Sequence, residues 1–151
     1  MNCKRAWRFL GRRALVAASV VFAASLAACE RDMTIAVVNQ SNPPSFKLSG
    51  SGRLIFFSVF EVPRDRPPSI DDTKIWEIRP VDENLISKLP DITYGVVPPG
   101  FQQTFPKTGT PPLLVEGRLY EAGGPAFDAN GGSIRFTIKD GKIVIVSDGH
   151  N

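Results

Sequence analysis

The spacing of proline and glycine constrains this chain more than any other feature. All 13 prolines and 12 of the 13 glycines lie beyond residue 42. They recur as Pro43-Pro44, Gly50 and Gly52, Pro67-Pro68, Pro98-Pro99-Gly100, Pro111-Pro112, Gly123-Gly124-Pro125 and Gly131-Gly132. An interior Pro costs a helix about 3 kcal/mol and an interior Gly about 1 kcal/mol. Few intervals between these breaks could therefore hold a helix. They are instead rich in β-branched and aromatic residues, which suit half-buried pleated chain. The candidate strands are 34–38, 53–62, 74–79, 92–97, 113–121, 133–139 and 142–147, with at most one helical turn over 82–88. An all-β fold follows.

The clearest strand is Ser133 to Lys139, where Ile134, Phe136 and Ile138 share one face. Asp140-Gly141 then supplies the two positive-φ positions of a tight hairpin. About seven short strands separated by turns predict a β-sandwich. Trp76, with Ile78 on its face, is placed to fill the space between two sheets. Leu114-x-x-Gly117-x-x-Tyr120 resembles the spacing in fibronectin type III domains, with Glu116 where that family usually carries Pro. The resemblance implies an immunoglobulin-like or fibronectin-like sandwich. In it Gly117 turns the chain and Tyr120 is structural, its hydroxyl bonding back to the backbone at a corner.

The first 28 residues read as a separate element. Lys4, Arg5, Arg8, Arg12 and Arg13 precede an uncharged run from Ala14 to Ala28, and the first acid is Glu30. A spanning helix needs about 20 apolar residues, so a basic start and a shorter apolar run fit a signal-peptide helix better. Leu26-Ala27-Ala28-Cys29 resembles the lipobox of bacterial lipoproteins. That resemblance implies that Leu26, Ala27 and Ala28 are read by a signal peptidase and that Cys29 is acylated and becomes the first mature residue. It also implies an envelope location, and Glu30, in place of Asp, favours the outer membrane. Arg12-Arg13 resembles a twin-arginine export signal, but Gly11 and Ala14 depart from its fuller pattern. The stretches Ile75-Trp76-Glu77-Ile78 and Tyr94 to Phe101 resemble hypothetical bacterial lipoproteins of unassigned role.

Removing the leader changes the charge balance. The whole chain carries 18 basic and 15 acidic residues, a formal charge of +3. Residues 29–151 keep 13 basic and all 15 acidic ones, a net charge of −2. A nucleic-acid partner needs a basic footprint, and none is left. The expected organisation is a signal peptide over 1–28, a lipidated Cys and short tether over 29–33, and one sandwich over 34–151. Only about four residues then separate Cys29 from the first strand. At roughly 3.5 Å each, that tether reaches no more than about 15 Å.

The residues offer little chemistry. The single His, His150, lies next to the end of the sequence, and Cys3 leaves with the leader. No Ser sits in a G-x-S-x-G elbow, and Asp71-Asp72 and Asp82-Glu83 diverge in extended chain. Asp128-x-Asn130-Gly131 resembles the opening of a calcium loop, but Gly132 and Lys139 occupy positions that need oxygen ligands. No metal and no cofactor are expected. Phe101 and Phe105, on what reads as a Pro-stiffened loop from Pro98 to Phe105, could anchor an envelope protein partner. Alternatively, both close the end of the sandwich as core. The expectation is a non-catalytic, lipid-anchored binding or scaffold module. The second reading is an inhibitor that blocks a hydrolase through the Pro98–Phe105 loop.

Overall fold

A computed structural model of the protein describes residues 32–63, 73–82 and 85–146. Leu26, Ala27, Ala28 and Cys29 lie outside the described residues, as do Asp71, Asp72, Glu83, Ser147 and His150. The described residues form eleven strands: β1 (Thr34–Asn39), β2 (Ser45–Ser49), β3 (Arg53–Leu54), β4 (Phe57–Val62), β5 (Thr73–Pro80), β6 (Ile92–Thr93), β7 (Phe101–Phe105), β8 (Leu119–Gly124), β9 (Ala126–Phe127), β10 (Gly132–Lys139) and β11 (Lys142–Ile145). One 3-10 turn, Ile86–Lys88, falls where a helical turn is expected.

The fold is all-β, with sheets packed face to face. A six-stranded sheet runs β11-β10-β8-β4-β5-β7, a three-stranded sheet runs β1-β2-β6, and β3 and β9 form a two-stranded ribbon. Every strand pair is antiparallel. The core forms where β2 projects Phe46 onto the larger sheet, its ring centroid 5.4 Å from Phe57 and 5.6 Å from Phe136. Register places Val59 opposite Trp76 and Phe57 opposite Ile78, so these four face inward together. All four are fully buried. Burying each such side chain contributes about 1.5–3 kcal/mol. Trp76 also satisfies its polar edge, its Nε1–H donating to Gln103 Oε1 at 3.2 Å.

The predicted hairpin is present. Lys139 pairs with Lys142, leaving Asp140 (φ 52°) and Gly141 (φ 69°) as the two turn residues. The chain also turns before Tyr120. Leu114 is buried, Gly117 has φ 78°, and the Val115 N–H donates to Tyr120 Oη at 2.8 Å.

Several expected strands are cut shorter, one is divided, and β2, β7 and β9 arise where no strand is expected, so eleven strands replace seven. The 53–62 run splits, because Leu54 pairs with Ala126 in the ribbon while the chain joins the large sheet at Phe57. The 92–97 run stops at Thr93: Val96 N–H bonds back to the Thr93 carbonyl, and Gly95 sits at φ 78°. Residues 113–118 are not strand, because Pro111 and Pro112 lack donors and a turn closes from Arg118 N–H to the Val115 carbonyl.

The Pro98–Phe105 loop is also corrected. Phe101–Phe105 is strand β7, paired along β5 with Phe101 opposite Pro80 and Gln102 opposite Arg79. Phe101 is buried in the core, and Phe105 is 41% exposed at the end of the strand.

Candidate functional site

Charge is spent on structure in this domain. Glu77 on β5 is buried, and its carboxylate accepts from Lys74 Nζ at 2.6 Å, Thr104 Oγ1 at 2.7 Å and Arg79 Nε at 3.1 Å. Burial works to raise its pKa, but the three hydrogen bonds together hold it below the ordinary carboxylate value. Glu61 is held by Arg118 at 2.6 Å and Glu121 by Arg135 at 3.0 Å. Among the described residues, no three His, Cys, Asp or Glu side chains gather closely enough to hold a metal ion.

Two clefts remain. The first, about 410 Å³, lies on the outer face of the large sheet. Phe56 and Phe60 form its wall, and Gly123, Gly124, Gly131 and Gly132 its floor. Those glycines have a packing reason. A Cβ on Gly124 would collide with the Phe56 carbonyl, and one on Gly123 with the Gly132 carbonyl. Lys74 sits over Phe60 at 5.9 Å and Arg79 over Phe56 at 5.3 Å, so neighbouring cations are already engaged with its aromatic wall.

The second cleft, about 340 Å³, is lined by Asn42, Pro43, Tyr94, Gly95 and the run Thr110–Leu114. Its frame is rigid for identifiable reasons. Tyr94 is buried and stands edge-on to Trp76, with ring centroids 5.4 Å apart. Burial pushes the Tyr94 hydroxyl pKa well up, with a smaller contribution from Tyr120. The hydroxyl therefore stays protonated and donates to the Pro112 carbonyl at 2.7 Å. Asn42 Nδ2 reaches the Leu114 carbonyl at 3.4 Å. Leu114 turns into the core, while Leu113 is 90% exposed on the cleft rim. Exposed Val96 follows Gly95, and exposed Val115 follows Leu114.

The cleft and the Asp32–Met33 segment lie at opposite ends of β1. Its six residues span about 20 Å at roughly 3.3 Å each. Thr34, next to Met33, pairs with Ser49, whereas Asn39 is only three residues before the cleft-lining Asn42. Leu113 thus projects from the end of the sandwich opposite Thr34.

Of the residues singled out from sequence, Trp76 and Tyr120 are buried in the core and Gly117 has φ 78°. Phe101 and Phe105 do not form a protruding pair. Leu113 went unremarked, although its setting in Pro111-Pro112-Leu113-Leu114 carries a signal. Adjacent side chains in extended chain diverge, so a proline-stiffened Leu pair can bury only one member. Compared with protein-family models, curated proteins and solved structures, the chain matches none.

Proposed function

We propose that this protein is a lipid-anchored, non-catalytic binding module of the bacterial envelope, with an immunoglobulin-like or fibronectin-like sandwich as its body. The Leu26-Ala27-Ala28-Cys29 lipobox resemblance supports the anchor, and Glu30 favours the outer membrane. The observation that carries the binding role is Leu113, 90% exposed beside a framed cleft at the end away from the tether. Exposing a whole Leu side chain forgoes about 1.5–3 kcal/mol of burial, and clefts lined mostly by apolar side chains with a few polar groups are where ligands and partner segments bind. The partner is an envelope protein presenting an apolar segment that covers Leu113 and enters the cleft between Pro43 and Tyr94. The inhibitor reading is less favoured, because Phe101–Phe105 of its Pro98–Phe105 loop is strand β7.

Photo-crosslinking in intact cells tests this role. A photoreactive residue at position 113 is expected to give a discrete adduct, and one at exposed Val144 on β11 none. Equal adducts at both positions, or none at 113, would contradict the binding surface.

A further inference from the structure

The end of the sandwich nearest the tether carries its own surface. Asp32 and Met33 are fixed there: Met33 N–H donates to the Asn130 carbonyl at 3.1 Å, and Asn130 Nδ2 donates to Asp32 Oδ1 at 2.9 Å. On the other side, Gly50 packs so closely on the Asp32 backbone that a Cβ there would overlap its carbonyl. The first described residue is therefore clamped between the β2–β3 turn and the β9–β10 turn.

Directly beside this clamp runs a row of three side chains. Arg53 is paired with Phe127 across the β3–β9 ribbon and with Leu85 on its other side. Residues directly opposite each other in antiparallel pairs project to the same face. Leu54 and Ala126 face the core, so Arg53, Phe127 and Leu85 face outward. Phe127 is 58% exposed and Leu85 44%, while the Arg53 guanidinium lies 5.9 Å over the Phe127 ring and binds Asp128 at 3.0 Å.

Chain length decides what this face meets. Three steps of about 3.8 Å join Cys29 to Asp32, so an acyl anchor at Cys29 stays within about 11 Å of the clamp. Phe127 is only three residues from Asn130, and Arg53 three from Gly50. We propose that the Leu85–Arg53–Phe127 row docks on the phospholipid surface that holds the anchor, with Phe127 and Leu85 entering the headgroup–acyl boundary. The proposal rests on acylation of Cys29. Phe127 and Leu85 are the exposed apolar members of the row and Arg53 is already paired with Asp128, so contact is driven by apolar burial. Anionic lipid is not required, and docking resists salt.

The test uses the full lipoprotein reconstituted in phosphatidylcholine–phosphatidylethanolamine vesicles, with acylation of Cys29 read by mass. Nitroxide labels are placed through Phe127→Cys and, in a second variant, Leu113→Cys. The label at 127 is expected to collide with dissolved oxygen severalfold more than with a water-soluble nickel chelate, relative to the label at 113. That bias is expected to persist at high salt. Equal accessibility at the two positions in an acylated protein would overturn the docking alone. A chain without acyl groups would overturn both the docking and the anchor. A Phe127→Trp variant read by brominated-lipid quenching guards against a label that disturbs the ribbon: quenching supports docking, and its absence overturns it.

Discussion

Tyr120 and Val115 lock the corner that leads into β8: the Val115 N–H donates to Tyr120 Oη at 2.8 Å while the Tyr120 ring stacks on Phe136 at 5.6 Å. Ring packing and hydroxyl bonding are separable. Tyr120→Phe keeps the ring and deletes the bond. It is expected to lower unfolding free energy by about 1 kcal/mol, measured by urea denaturation. Wild-type stability in this variant would show that the corner bond does not hold the fold.

Glycine substitutions should divide by cause. At Gly124 an added Cβ meets the fixed Phe56 carbonyl, so Gly124→Ala is expected to cost about 3 kcal/mol. At Gly117 nothing lies within 4 Å, and only the positive φ of 78° opposes a side chain. Gly117→Ala should cost about 1–2 kcal/mol. Parallel denaturation curves check the order, and Gly117→Ala proving the costlier change would contradict it.

Acid should weaken the protein through Glu77. Its folded-state pKa is lowered, so its contribution is present above the unfolded value, about 4.3, and is lost as pH falls through the folded value. Thermal unfolding is expected to show stability declining below about pH 4.3. Glu77→Gln should be less stable at neutral pH by about 1–3 kcal/mol and show a shallower acid slope. An unchanged slope would remove Glu77 from the account.

Trp76 offers a direct optical check. Trp76 is fully buried, and under the proposed removal of residues 1–28, which takes Trp7 with it, it is the one Trp left in the chain. Emission should be blue-shifted in the native protein and should move red on unfolding. Water-like emission from the native form would contradict the packing of Phe57 and Tyr94 around it.

How much of this was legible beforehand depended on whether period-two patterning carried the burial. In β10, Phe136 and Ile138 alternate with polar neighbours, and Asp140-Gly141 marks the turn, so strand and hairpin both read clearly. In β7 one inward position is Gln103, whose amide accepts from Trp76 and donates to the Pro106 and Gly109 carbonyls. Polar chemistry does there what an apolar residue would have signalled, and Phe-Gln-Gln-Thr-Phe looked like a loop. β2 carries the right alternation in Phe46 and Leu48 but was hidden behind Pro43-Pro44 and a polar lead-in. Within 113–118 the apolar run misled in the opposite direction, because only Leu114 turns inward. The Leu85–Arg53–Phe127 row could not be read from sequence, since its members lie more than 30 positions apart and meet only through strand pairing.

The anchor is the claim on which location, tether geometry and membrane docking all depend. Metabolic labelling with an alkyne fatty acid, comparing wild type with Cys29→Ser, tests it most directly. The account predicts a labelled wild type and an unlabelled, unprocessed variant. A wild type without label would contradict it.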